Sequence, residues 1–346
     1  RFLGLLVQIT NGMNMMKKII DEAKKTGIDA IIVQDIAAMQ YAKEIGMKMQ
    51  ASTQLSISNI ESVKFFSQFA DIIVLARELD LEMISNICRI IKEENLTGPS
   101  GDLVKIETFI HGALCVAQSG RCQMSLISAQ RGACLQECRK QYKIIDEETG
   151  TELRLEDAYI LSPKDLCALP FLNKLVDAGI DVFKIEGRGR SPEYVDTVVR
   201  VYREAIDSIA NGTFNQKIID NGMKKLKKVY NRGFSEGYYL GKLLPDWSGV
   251  PNSQATEEKA HLGVVQHYFP KTRIAEIKLL SSNLSVGDKL LITGRTTGVT
   301  HGMVKQIVIE NQFVENAAKR EIITIPWEEK IRENDQVYIV KERMLS

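Results

Sequence analysis

Apolar positions in the first third of the chain recur in two alternating rhythms. Short β-branched runs over 3–9, 30–33, 72–75 and 103–109 have the length and composition of buried parallel strands. Between them, apolar residues return at helical spacing. Met15, Ile19, Ile20 and Ala23 form one stripe, Val63, Phe65, Phe66 and Phe69 contribute to a second, and Ile84, Ile87, Ile90 and Ile91 to a third. Gly27, after Lys24, Lys25 and Thr26, marks a helix C-terminus, because glycine takes the left-handed conformation without steric cost and cations suit the last turn. Strand–helix repetition of this period predicts a parallel sheet with helices outside it. Pattern alone allows either a closed barrel or an open doubly wound sheet.

The rhythm breaks over 111–143, where Cys115, Cys122, Cys134 and Cys138 stand among Gly, Ser, Gln and Arg. A hairpin with an acidic turn is expected over 144–161. The α/β rhythm then returns with a helix over 169–178, a strand over 182–185 and a long helix over 192–210. Ser191 suits that helix's N-cap, Pro192 its first position and Glu193 its first turn. Residues 241–258 collect Gly, Pro, Ser and Asn and read as a linker. Beyond them, short alternating runs over 262–267, 272–277, 289–292, 302–309, 322–325 and 336–340 predict a small all-β barrel or sandwich. The expected organisation is an α/β domain over 1–240 with a cysteine-rich insertion at 111–143, a linker over 241–258, and a β-barrel domain over 259–346.

Composition sharpens this picture. With 346 residues, about two domains are expected. The 45 basic and 44 acidic side chains nearly cancel, which argues against a whole-surface grip on nucleic acid. A local patch is still available in Lys224, Lys225, Lys227, Lys228 and Arg232, with Tyr230 interleaved. The same run equally suits one solvated helical face. No apolar run approaches the roughly 20 residues a membrane helix needs, and no signal-peptide pattern opens the chain. The expectation is a cytoplasmic protein with no membrane partner, in a compartment where clustered cysteines point to metal or redox chemistry. Because the chain starts at Arg1 and enters an apolar strand at once, further chain is expected to precede it.

Of the six cysteines, Cys88 lies on the apolar stripe with Ile84, Ile87 and Ile91 and reads as core. The others follow the spacing C-x6-C-x11-C-x3-C-x28-C, ending at Cys167. This lacks the paired C-x2-C knuckles of zinc ribbons and the tight run of ferredoxins. The spacing leaves two readings open, a thiolate metal site of unspecified type or small buried hydrophobes. Four thiolates are soft anionic donors that suit an iron–sulfur cluster. Arg121 and Arg131 are near enough in sequence to offset its charge, or are solvated loop residues.

The stretch from Glu107 to Ser125 reads ETFIHGALCVAQSGRCQMS. It resembles the signature of peptidase family U32, the collagenase-like proteins. So do QASTQLSISN from Gln50, VLAREL from Val74, RGACLQECR from Arg131, LSPKDLC from Leu161, and KIEGR with SPEYV from Lys184 to Val195. The resemblance implies a TIM-barrel-like α/β domain followed by a small β barrel. The family's opening L-A-P-A-G strand and G-A-D-A-V-Y element have no counterpart here, so the first βα units are expected to be missing. The segment between Cys122 and Cys134 is also shorter than the family pattern.

Members of this family are named as peptidases, yet several resemble tRNA or rRNA hydroxylation proteins, or oxygen-independent ubiquinone hydroxylation proteins carrying a 4Fe-4S cluster. The resemblance implies Cys115, Cys122, Cys134 and Cys167 as cluster ligands, with Cys138 in reserve. It further implies tRNA as partner, formation of 5-hydroxyuridine at the wobble position, and prephenate or a similar small carboxylate as partner metabolite. The electron-transfer partner is left unspecified. The alternatives are a collagenase-like peptidase and a non-catalytic scaffold that binds RNA or protein.

Peptide hydrolysis needs an activated nucleophile or water. Neither H-E-x-x-H nor G-x-S-x-G is present, and of the four histidines only His111 lies among the motifs. A peptidase would have to use Cys115 with His111, or the carboxylates Glu107 and Glu186. Strand C-termini face the active site of an α/β barrel, and alternation puts Lys184 and Glu186 on one face. Lys184, Glu186 and Glu107 are therefore the catalytic candidates. Arg188 and Arg190 suit a dicarboxylate or phosphate. Gln54, Arg77 and Glu78 begin loops after other strands and are further binding candidates. Tyr194 either stacks on a base or packs on a helix face.

Overall fold

In a computed structural model of the chain, the strand–helix rhythm resolves into a parallel sheet. The structure describes residues 2–5, 12–120, 122, 124, 136–142, 144–150, 152–153, 161–242, 246–249 and 253–343. The first strands and helices are β1 (Phe2–Leu5), α1 (Met13–Lys25), β2 (Ala30–Val33), α2 (Ile36–Glu44), β3 (Met49–Ala51), α3 (Ile60–Ser67), β4 (Ile72–Val74), α4 (Leu81–Glu93) and β5 (Lys105–Ala113). β1 to β5 pair in parallel and in sequence order.

Local chemistry sets the helix ends. The side chains of Asp35, Asn59 and Asp80 accept the N–H groups of Ala38, Ser62 and Met83, capping α2, α3 and α4. Each cap is worth about 1 kcal/mol. α1 stops at Gly27, whose φ of +71° lets its N–H and that of Ile28 close on Lys24 and Ala23. On α4 the predicted stripe is buried as Ile84, Ile87, Cys88 and Ile91, and burial pushes the Cys88 thiol up to about 11. Two stripes are rotated from expectation. α1 buries Met16, Ile20 and Ala23 and leaves Met15 62% exposed. α3 buries Val63 and Ser67 while Phe65 stands exposed, edge-on to Phe66. Both helices carry apolar residues on adjacent positions, so composition could not say which row faces the sheet.

β5 is the longest strand of this sheet and is buried over most of its length. Its first part pairs in parallel with β4 and with β9 (Val182–Ile185). The register shifts between Phe109 and His111. Its last residues pair antiparallel with β8 (Asp165–Cys167), which continues to β10 (Phe234–Ser235). The strand expected over 103–109 therefore runs on into the segment where the sequence rhythm breaks. Among the described residues the pairings do not return to β1. β6 (Ile144–Ile145) and β7 (Glu152–Leu153) form the expected hairpin start, with Asp146 accepting the N–H groups of Glu148 and Thr149 in its acidic turn. Most of the cysteine-rich insertion, and the rest of that hairpin, lie outside the described residues.

α5 (Leu172–Asp177), α6 (Pro192–Ala210) and α7 (Gln216–Lys228) follow. The chain divides into two compact units. The first holds 1–186, 204–219 and 231–253; the second holds 187–203, 220–230 and 254–346. Part of the expected linker is thus structured within the first unit: Lys164 N–H reaches Asp246 O and Ser248 N–H reaches Ser162 O, both at 2.7 Å. Among the described residues no helix is long and apolar enough to cross a membrane.

The second unit carries β11 (Glu257–Phe269), β12 (Ile274–Leu279), β13 (Leu284–Ser285), β14 (Lys289–Gly294), β15 (Gly298–Met303), β16 (Ile307–Ile309), β17 (Gln312–Val314), β18 (Asn316–Ala317), β19 (Ile322–Pro326) and β20 (Gln336–Glu342). Eight of these form one antiparallel sheet in the order β15-β14-β20-β11-β12-β19-β16-β17, and β13 pairs with β18. Alternate residues such as Leu262, Ile277, Ile292, Ile323 and Ile339 share one core. A Cβ on Gly302 of β15 would stand 2.7 Å from the Trp327 ring, just past β19. In a flat sheet those strands would be roughly 24 Å apart. The sheet is therefore curled on itself around its core, in keeping with the expected small barrel.

Candidate active site on β5 and the adjoining cysteine corner

Glu107 of β5 is only 3% exposed, and a buried carboxylate needs compensation. Two other strands of the sheet supply it. Lys184 Nζ on β9 donates to Oε1 at 2.5 Å, and Gln50 Nε2 on β3 donates to Oε2 at 3.2 Å. Lys184 keeps a quarter of its side chain exposed, so the pair opens to solvent through its cation. The Phe109 ring lies beside it, with the Arg77 guanidinium 3.9 Å and Lys184 Nζ 5.6 Å from the ring centre. Arg77 Nη1 donates to Ala113 O, and its buried Nε has no hydrogen-bond partner among the described residues. Tyr239 donates its hydroxyl to Phe109 O at 2.6 Å, and burial pushes that phenol up to about 12.

Of the predicted residues, Glu107, Lys184 and Arg77 come together here. Gln54 lies one turn past β3, its N–H capped by Ser52. Glu186 follows β9 directly, and its N–H extends the ladder to His111 O. Glu78 holds a loop: its carboxylate accepts both the N–H and the hydroxyl of Ser119, each at 2.6 Å. Ser119 sits at φ +45° between Cys115 and Cys122, a left-handed conformation that the two bonds to Glu78 offset. Arg188, Arg190 and Tyr194 belong to the second unit. Arg190 lies 3.9 Å over the Tyr230 ring. Tyr194 is 1% exposed, so the base-stacking role is corrected to helix packing.

The far end of β5 meets the cysteines. Cys167 on β8 stands opposite His111, and both are buried. Cys115 follows the end of β5 by two residues, and Cys138 is buried in the short turn Glu137–Arg139. Arg139 donates to Ser162 Oγ at 3.0 Å, to Pro163 O at 2.6 Å and to Leu114 O at 2.6 Å. Arg232 pairs with Asp165 at 3.5 Å and donates to Gln136 Oε1 at 2.7 Å. Burial and then Arg232 lower the pKa of Arg139, while Cys138, Asp165 and Cys115 act in the opposite sense. Arg232 is 3% exposed, so it leaves the predicted phosphate-tracking run for this corner. Its partner Asp165 is too distant in sequence for that role to be visible. Lys228 of the same run pairs with Glu257.

Cys122 is half-buried, and Cys134, Arg121 and Arg131 lie outside the described residues. Among the described residues no three His, Cys, Asp or Glu side chains are grouped to hold a metal ion. The donor chemistry nevertheless suits a cluster. Thiols are soft donors that suit a cluster, and Cys115 and Cys138 both act on Arg139, which with Arg232 and Asp165 gives this corner its charge.

The residues that sequence patterning missed are Gln50, Phe109, Ser119, Tyr239, Arg139 and the Arg232–Asp165 pair. Gln50 had a signal, a polar residue inside a buried strand triplet. Arg139 had one too, closing the motif of Cys138.

Residues 4–248 match the family described as Peptidase family U32. A protein named Collagenase from Porphyromonas gingivalis is 48% identical over 333 residues, 95% of this chain and 80% of that protein. The tRNA hydroxylation protein P1 of Bacillus subtilis is 34% identical, over 67% of this chain and 54% of that protein. The 23S rRNA 5-hydroxycytidine C2501 synthase of Escherichia coli is 38% identical, over 72% of this chain and 39% of that protein.

Proposed function

The chain belongs to peptidase family U32, and from that starting point we propose that it is an iron–sulfur-dependent RNA hydroxylation enzyme. Its substrate in this reading is tRNA, hydroxylated to 5-hydroxyuridine at the wobble position in the cytoplasm. The parallel sheet is then part of a TIM-barrel-like α/β domain. The observation that carries the reading is that Cys115 and Cys138 both act on Arg139 past the end of β5, the strand that also carries Glu107 and pairs with Cys167 of β8. The relatives named for tRNA hydroxylation and for rRNA 5-hydroxycytidine support it.

Cys115, Cys122, Cys134 and Cys167, with Cys138 in reserve, would hold a 4Fe-4S cluster, which supplies electron-transfer chemistry when bound. The remaining roles fall to this chain's own side chains. Gln50 fixes the Glu107 carboxylate, Glu107 fixes the Lys184 ammonium, and Lys184 and Arg77 present two cations around Phe109. They orient a small carboxylate such as prephenate. Phe109 keeps water from the pair. Arg188 and Arg190 contact RNA phosphates.

Nucleoside analysis of tRNA from a strain lacking the protein tests the reading. Loss of 5-hydroxyuridine derivatives is expected, and an unchanged profile would remove tRNA as the substrate. A peptidase is favoured by one observation, the 48% identity to a protein named Collagenase. Gelatin cleavage by metal-free protein, abolished by Cys115→Ala, with tRNA unaffected, would transfer the assignment to it.

A further inference from the structure

Cys115, Cys138 and Cys167 arrive on separate stretches of chain, and the side chain of Arg139, next to Cys138, bonds to the stretches that lead to the other two. The Arg139 guanidinium donates to Leu114 O, next to Cys115, and to Ser162 Oγ and Pro163 O on the strand approach to Cys167. Its own backbone follows Cys138. The acceptors are themselves fixed. Leu114 is buried at the end of β5, Ser162 O takes the N–H of Ser248, and Pro163 bridges to Trp247. A guanidinium presents its donors in a rigid planar fork, so it can bond to several fixed acceptors at once in a way an ammonium cannot.

We propose that Arg139 is the positioning residue of the cysteine corner: its fork locks the segments bearing Cys115, Cys138 and Cys167 into one geometry and prepares the thiols to take up iron. The uptake of iron rests on the cluster reading above, whereas the locking of the segments does not. Offsetting cluster charge, one of two readings offered by sequence for Arg121 and Arg131, falls in this view to the half-buried Arg139 and the buried Arg232.

The test uses the full chain with Arg139→Gln and Arg139→Lys. In iron-free protein, alkylation of Cys115 and Cys138 by iodoacetamide, read peptide by peptide, should quicken by about tenfold in both variants, since the loss of the fork opens the corner locally. Cys88 on α4 serves as the internal control and should keep its wild-type rate, as should the thermal midpoint. After anaerobic reconstitution, iron retention against a chelator should weaken by about tenfold, with an altered electron paramagnetic resonance signature. Unchanged alkylation rates in both variants overturn the proposal. Full rescue by Arg139→Lys also overturns it, because charge alone would then suffice, and equal acceleration at Cys88 reduces Arg139 to a general stability residue. If wild-type protein takes no iron, the cluster reading fails, and the alkylation contrast still decides the role of Arg139.

Discussion

Asp165 and Arg232 illustrate how much of this protein's chemistry is decided between residues distant in sequence. Both are almost fully buried, and each is the other's charge partner. Asp165→Ala leaves a buried guanidinium without its carboxylate and should cost about 3–5 kcal/mol in urea unfolding. Tyr239 gives a pH signature. The folded state keeps its phenol protonated up to about pH 12, because burial penalises the phenolate. The unfolded chain releases that proton near pH 10, so between the two values the unfolded state binds fewer protons and stability falls as pH rises. The loss should reach roughly 2–3 kcal/mol across that window and be absent from Tyr239→Phe, measured as the difference between the two denaturation curves. At this scale the sequence was legible for the placement of Glu107 and Lys184 on strands of the sheet and for the burial of Cys88, each signalled by its motif or stripe. It was silent on Arg232, because a basic residue buried by distant partners looks like any surface cation.

Among the elements, the strands β2 and β9 and the helix α6 fall where patterning put them, since each has a strong periodic signal with a turn residue or cap at its edge. β5 ran past its predicted end because His111, Gly112 and Ala113 have no β-branched signature and are held by pairing with β8 and β9. The rotated faces of α1 and α3 have a similar origin, in that only neighbours choose between adjacent apolar rows. Turn chemistry gives a sharper forecast. Gly179 has φ +87°, and a methyl group on its Cα would stand only 3.2 Å from Cys88 Cβ. Gly179→Ala should destabilise the first unit by about 1–2 kcal/mol through left-handed strain alone. In the second unit, Gly302→Val would drive a branched side chain into Trp327. It should lower that unit's unfolding midpoint and redshift its tryptophan emission, and a wild-type spectrum would refute the curled-sheet contact.

For the molecule as a whole, a net charge of +1 limits how RNA could be held under the proposed function. A local patch contributes only a few phosphate contacts, so the salt dependence of binding should be shallow. Lys224 on α7 is exposed. Lys224→Gln should reduce the slope of log K against log salt by about 0.7 if it meets a single-stranded phosphate, measured by RNA titration at several salt concentrations. An unchanged slope would take α7 out of the RNA surface.

β5 pairs with three other strands and carries Glu107 near one end and the approach to Cys115 at the other. It therefore acts as a ruler between the acid–base pair and the thiols. Each residue along it counts for about 3.3 Å and half a turn of side-chain direction. Substitutions along this ruler alter contacts one at a time, whereas an insertion or deletion between Glu107 and Ala113 changes the spacing of the two centres and the face on which one of them lies. The length of this strand is thus more tightly constrained than its composition, and natural or engineered variants should tolerate exchanged residues there far more readily than added or lost ones.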